Sequence, residues 1–370
     1  MRAGGRTWLL LPAGASLLGG VDAGLVLLGA PAPVSDTRLG DIHGPLMVLG
    51  FLGTLIALER ASALRSPWGY AAPALLGLGG LALLAPVPRT LGQVLLLDGA
   101  VLLLMVLVAL WGRRRDDTVL VEALGAVLAT LAVLLWVRVE AGVVVPLLAG
   151  FVILTITAER VELARLHLAG GAGRTLAQLS VLVAAAALST VLAPAGGSRA
   201  FGVVLVVLVA WLGPRDVAVR LVHGTGLPRF AATSMLMGYV WLGFAGSAWV
   251  VLGATTTTAR GHDLVVHAVF LGFAMSMVLA HAPVILPAVL RRAVPYRPLF
   301  WMPLALLHVS LTVRVAGDVS GVHPLTVAGG VGTAIALLGV PIVAAGSAIL
   351  AARRPPTRDA TNTTLRSIPS

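Results

Sequence analysis

The sequence of 370 residues contains no cysteine. This absence excludes disulfide bridges, thiolate metal sites and covalent attachment of a c-type haem. It also contains no lysine, so all 26 basic residues are arginine. Only 11% of the residues are charged, whereas 58% are hydrophobic. A soluble domain cannot bury that much apolar surface, and the composition therefore predicts a protein whose main partner is the lipid bilayer.

Apolar runs of the length needed to cross a bilayer, about 20 residues, recur along the chain. There are twelve, at approximately 8–30, 43–60, 68–87, 91–111, 118–137, 142–159, 175–194, 199–213, 230–252, 263–290, 298–316 and 324–352. They predict an all-α, multi-pass protein of the cell (plasma) membrane. We expect a single transmembrane domain over residues 1–354, followed by a polar, disordered cytoplasmic tail over 355–370.

The arginines are distributed unevenly between the two sides of these spans. If the N-terminus is inside, the inner segments hold 20 arginines and the outer segments hold the other 6. Positive charge favours the cytoplasmic side, so the bias predicts that both termini are inside. The same rule accounts for the net charge of +11 without a nucleic-acid partner.

The chain repeats itself. Residues 50–60 read GFLGTLIALER, residues 150–160 read GFVILTITAER, and Leu-Gly-Phe returns at 271–273, where His281 falls under Glu59. These copies lie in the second, sixth and tenth spans, four spans apart. The interval predicts three units of four helices, and repeat interfaces often form sites in membrane proteins. The units cover about residues 1–112, 113–214 and 215–354.

Span two opens with DIHGPLMVLGF and span ten with GHDLVVHAVFLGF. Three four-helix units with spans two, six and ten inside resemble subunit I of the haem-copper oxidases. The H-x-x-x-M-x-x-G-F and H-A-x-x-x-G strings resemble the NnrS-type membrane haem proteins, which are linked to nitric oxide stress. The resemblance implies haem b between His43 and His267, and electron transfer with a redox partner or quinol, or handling of nitric oxide or oxygen species. Spans six and seven contain no histidine, so we expect no copper.

The two histidines are predicted to lie at similar depth and to face each other across an apolar slot, with nitrogens about 4 Å apart if they bind one haem iron. The alternative is that each is an interfacial histidine. Arg38, Arg260 and Arg314 end spans on the same side and are candidates for haem propionates, or for ion pairs with nearby aspartates.

His281 follows His267 by fourteen residues, which returns it to nearly the same helix face, so it is a further candidate metal ligand. It also forms an inner ring with Glu59 and Glu159. Such a ring favours a second class of function, a cofactor-free transporter coupled to an ion or proton. The simpler interpretation of the glutamates is ion pairing with the adjacent Arg60 and Arg160. Whether the protein is an enzyme stays open.

Overall fold

The computed structural model describes residues 8–36, 38–164, 171–290 and 294–352. Within these residues it is built of helices without a strand, and twelve helices are long and apolar enough to span a membrane. The prediction of an all-α, multi-pass membrane protein is therefore confirmed. The predicted tail at 355–370 lies outside the described residues.

The spanning helices are numbered α1 to α12 in chain order. Their bounds are Leu10–Leu27, Arg38–Leu64, Pro67–Leu84, Arg89–Arg114, Asp117–Trp136, Ala141–Leu163, Ala172–Leu192, Pro194–Arg215, Gly226–Leu252, Ala259–Pro283, Pro298–Ser320 and His323–Ala351. Helix follows helix through short connections, and a short extra helix, Ala218–Leu221, lies between α8 and α9. Consecutive helices pack together, and α12 returns to α1.

Three helices form the interior of the bundle. The apolar windows of α2, α6 and α10 are 67%, 78% and 72% buried, against 28–61% for the other nine. The glycines that share the repeat position are all buried. Gly50 lies against α1 and α3, Gly150 against α5 and α7, and Gly272 against Trp241 of α9. Small residues let these helices approach closely. The unit boundaries and the orientation in the membrane stay predictions.

The outer surface of the bundle carries large apolar side chains. Leu18 is 59% exposed, Val94 53% and Val240 63%. Exposed apolar residues at this frequency are unfavourable in water, and they provide the surface that acyl chains contact in a bilayer.

Both α2 and α10 contain a stretch of π-helix at the Leu-Gly-Phe motif. The stretches are Leu46–Gly53 and Ala268–Ala274. The hydroxyl of Thr54 donates to the carbonyl of Gly50 at 2.7 Å, and that of Ser276 donates to Gly272 at 2.5 Å. Hydroxyls that bond a carbonyl four residues back often bend helices. Short π-helical segments frequently mark functional sites, and here they directly follow the two candidate histidines.

Candidate functional site

A cavity of about 150 Å³ lies among α1, α2, α6, α10, α11 and α12, and His43 and His267 are part of its wall. We call it the His43–His267 cavity. Most of the wall is apolar, including Leu25, Met47, Val145, Phe270 and Leu337. Such a wall suits a ligand that is largely apolar, with the polar groups of the site fixing its orientation.

The two imidazole rings face one another across this cavity. Their centroids are 6.4 Å apart and their planes are tilted by 36°. Nδ1 of His43 lies 2.8 Å from the carbonyl oxygen of Gly20, and Nδ1 of His267 lies 2.8 Å from that of Asp263. Because a carbonyl only accepts hydrogen bonds, each Nδ1 carries a proton, and in the neutral form of each ring the lone pair is then on Nε2.

The distance between the two ring centroids is close to that of two imidazoles that share a metal ion. Metal–nitrogen bonds are about 2 Å, and the ring centre lies about 1 Å beyond the nitrogen, so the two centroids would be roughly 6 Å apart. Metal-binding histidines usually donate their second N–H to a carbonyl or carboxylate, which fixes the ring. Both features are present at His43 and His267.

Two glycines of α1 make room for α2 at this point. A Cβ atom on Gly24 would lie 3.1 Å from Cε1 of His43, which is tighter than ordinary van der Waals contact, and one on Gly20 would overlap the sulfur of Met47. The position of the His43 ring therefore depends on the absence of a side chain at residue 24.

Arg314 is the one predicted arginine that reaches the cavity. Its Nε and Nη2 donate to the two carboxylate oxygens of Asp263 at 2.7 and 2.5 Å. Asp263 Oδ1 also lies 3.2 Å from Nδ1 of His267. One carboxylate thus holds both the guanidinium and the imidazole in place. Nη1 of Arg314 has no hydrogen bond within the described residues, and it borders Gly330 of the cavity wall.

The other predicted ligands lie elsewhere. Arg38 pairs with Asp36 at 2.8 Å and its side chain is 55% exposed. Arg260 is exposed and lies beside Gly321, outside the cavity wall. His281 is also absent from that wall. Its Nδ1 donates to the carbonyl of Met277 at 2.7 Å, whereas its buried Nε2 has no partner in the part of the chain that is described.

Whether these residues suit a haem depends on the donor set and on the space. Among the described residues, no group of three or more His, Cys, Asp or Glu side chains is arranged to hold a metal ion. Two imidazoles alone do not complete a coordination sphere, but they do complete that of an iron whose other four ligands come from a porphyrin. The cavity is smaller than the 300–1,000 Å³ typical of ligand sites, so a porphyrin would fit only after wall side chains such as Leu27, which is 61% exposed, had turned outward.

At the opposite end of α2 a second polar group is buried. Nη2 of Arg60 pairs with Glu159 and, at 3.5 Å, with Glu59, and its Nε lies 3.3 Å from a carboxylate oxygen of Glu122. We call these four residues the Arg60 cluster. The repeat correctly brought Glu59 and Glu159 together, but Glu122 was missed. A single acid within the apolar sequence of α5 was the available signal.

In the second Glu-Arg motif, the arginine also pairs with a carboxylate from outside its own helix. Arg160 donates to both oxygens of Asp216, at 2.6 and 2.9 Å, and the hydroxyl of Tyr239 donates to the same carboxylate at 2.6 Å. Burial raises the pKa of Asp216, but the hydrogen bonds from Arg160 outweigh it, so the pKa lies below its ordinary value. Arg60 therefore pairs with glutamates of other helices as well as with the adjacent Glu59. Arg160 pairs with Asp216.

Comparison with known proteins places the chain in one family. Residues 6–349 match the family model described as "Domain of unknown function (DUF8744)". No curated protein matches the chain, and no solved structure does. Since the match covers nearly the whole chain, the protein belongs to the DUF8744 family.

Proposed function

We propose that this protein is a haem b protein of the plasma membrane, with His43 and His267 as the two axial ligands. The observation that carries the proposal is the pair of facing imidazoles, 6.4 Å apart, whose Nδ1 atoms both donate to backbone carbonyls. That pattern leaves both Nε2 atoms without a backbone partner, and the separation of the ring centroids is close to that of two imidazoles on a shared metal ion.

The protein's own groups have distinct roles in this proposal. His43 and His267 would hold the cofactor, and the apolar wall of the cavity would exclude water from it. Asp263 holds His267 and Arg314, and Nη1 of Arg314 is available to a carboxylate of the ligand. Arg38 and Arg260 lie outside the wall of the His43–His267 cavity, and copper is not expected because α6 and α7 contain no histidine.

Haem, when bound, supplies one-electron redox chemistry. If His43 and His267 both held the iron, no ligand position would remain for a small molecule, and this would favour electron transfer with a redox partner or a quinol. The ligand pair therefore favours electron transfer over the handling of small gaseous molecules, which the resemblance to NnrS-type proteins also implies.

The test is the absorption spectrum of the purified full-length protein, together with a pyridine haemochrome assay for haem type. We expect a Soret band that is lost or shifted in His43→Ala and in His267→Ala. The matched control is His223→Ala, since His223 is exposed and should leave the spectrum unchanged. Size-exclusion profiles of all variants separate loss of haem from loss of fold.

The competing function is a cofactor-free transporter that uses Glu59, Glu159 and His281. It predicts a well-folded protein that has no Soret band, even when expressed with abundant haem. That result would exclude the haem proposal.

A further inference from the structure

The Arg60 cluster contains more carboxylates than positive charges. Three glutamates surround one guanidinium, and two of them are largely buried: the side chain of Glu122 is 1% exposed and that of Glu159 21%. Carboxylates that share a site in a medium of low dielectric constant cannot all remain ionised, because their mutual repulsion and their loss of hydration both oppose it.

Among the three glutamates of the Arg60 cluster, Glu122 has the fewest contacts that could stabilise a negative charge. Neither of its carboxylate oxygens forms a hydrogen bond within the described residues, and Oε1 also lacks an ion pair there. The nearest charge is the Nε of Arg60 at 3.3 Å, which itself forms no hydrogen bond there. A buried, ionised carboxylate without hydrogen bonds is strongly unfavourable, and such a group is usually neutralised.

The other nearby arginines are already occupied. Arg160 is bound to both oxygens of Asp216, and Arg113 donates to the backbone carbonyl of Leu64 at 2.7 Å. Arg114 is exposed and lies 3.8 Å from Glu162. The charged groups that act on Glu122 from the helices packed against it are therefore Arg60 and Glu59 from α2 and Glu159 and Glu162 from α6. Three of these four are acids.

We infer that the Arg60 cluster is a proton-binding site in which Glu122 holds the proton, and that the proton exchanges with water through Glu159 and Glu59. Exposure rises along this series, from 1% at Glu122 to 21% at Glu159 and 47% at Glu59. The step is a simple transfer: one proton moves from water to a carboxylate oxygen and returns, and no redox partner is needed. The inference does not depend on the haem.

The experiment is infrared spectroscopy of the purified full-length protein at neutral pH, in H₂O and in D₂O. We expect a C=O stretching band of a protonated carboxyl group that shifts in D₂O and disappears in Glu122→Gln. Incorporation of ¹³C-labelled glutamate should move the band, which separates it from protonated aspartates. Glu140→Gln is the control, since Glu140 is exposed and lies outside the Arg60 cluster, and this variant should keep the band. Glu59→Gln should slow the D₂O shift, and an unchanged rate would overturn the exchange route.

A stability measurement completes the test. Glutamine resembles a protonated glutamate in shape and charge, so Glu122→Gln should keep the melting temperature of the parent protein. If Glu122 is instead an ionised partner of Arg60, the same variant leaves a buried guanidinium without its charge partner and should unfold at a lower temperature or fail to fold. Either of these outcomes, or a carboxyl band that persists in Glu122→Gln, overturns the inference.

Discussion

Removal of the Asp216 carboxylate should destabilise the fold more than most single substitutions. The side chains of Asp216 and Arg160 are 0% and 3% exposed and are joined by two hydrogen bonds of 2.6 and 2.9 Å. Removing one partner of a buried ion pair leaves the other charge uncompensated and costs about 3–5 kcal/mol. Asp216→Ala also removes the acceptor for the Tyr239 hydroxyl.

The assay is thermal or SDS-induced unfolding of the protein in detergent, with Glu162→Ala as the control. Glu162 also pairs with an arginine, but at 3.8 Å and with an Arg114 side chain that is 69% exposed. An exposed pair contributes about 0–1 kcal/mol. If Asp216→Ala and Glu162→Ala lower the free energy of unfolding equally, the buried pair does not stabilise the fold as argued here.

The same pair predicts a pH dependence with a definite sign. The pKa of Asp216 is lower in the folded protein than its ordinary value, which is about 3.9 in the unfolded chain. A lowered pKa contributes stability that is fully present above the unfolded value and is lost as the pH falls through the folded value. The difference between the parent protein and Asp216→Ala should be constant from neutral pH to about pH 5 and should shrink in stronger acid.

Two glycine substitutions test the cavity and the core, with Gly14→Val as their common control because a Cβ at Gly14 meets nothing within 4 Å. Gly24→Val should displace the His43 ring, since even a Cβ would lie 3.1 Å from it, and should weaken or shift the Soret band without unfolding the protein. Gly272→Val should lower the melting temperature, because its Cβ would lie 2.5 Å from the side chain of Trp241. Overpacking of this kind costs about 1–3 kcal/mol. An unchanged melting temperature would show that α9 and α10 are not in close contact.

The number and type of helices were predictable from sequence because each span is a long apolar run with arginines at its ends. The repeat singled out α2, α6 and α10, and the resemblance to subunit I of the haem-copper oxidases implied that they lie inside, where Gly50, Gly150 and Gly272 are buried. The π-helical stretches were not predictable. Whether a carbonyl bonds four or five residues ahead changes no side chain and leaves the hydrophobic pattern unaltered.

The candidate site was predictable only where both partners lie on repeat helices. His43 and His267 lie close together because α2 and α10 carry corresponding segments. Glu59 and Glu159 lie close together because α2 and α6 do. Glu122 lies on α5, a helix outside the repeat set, and its contact with Arg60 joins α2 to α5 in a way that the repeat does not specify. Likewise, the choice of Arg314 over Arg38 depends on which helix end turns toward the cavity.

The His43–His267 cavity and the Arg60 cluster share helix α2 and lie toward its opposite ends. From His43 to Arg60 is seventeen residues, or roughly 25 Å of helix, and the segment of α2 between His43 and Glu59 contains no charged residue. The corresponding stretch of α10 between His267 and His281 is also uncharged. An apolar layer therefore separates the charged groups at one end of α2 and α10 from those at the other end. These two helices carry no chain of ionisable groups that could relay a proton between the two ends. A haem at the His43–His267 cavity and a proton at Glu122 can then be present or absent independently of each other, and the optical and infrared tests report on separate sites.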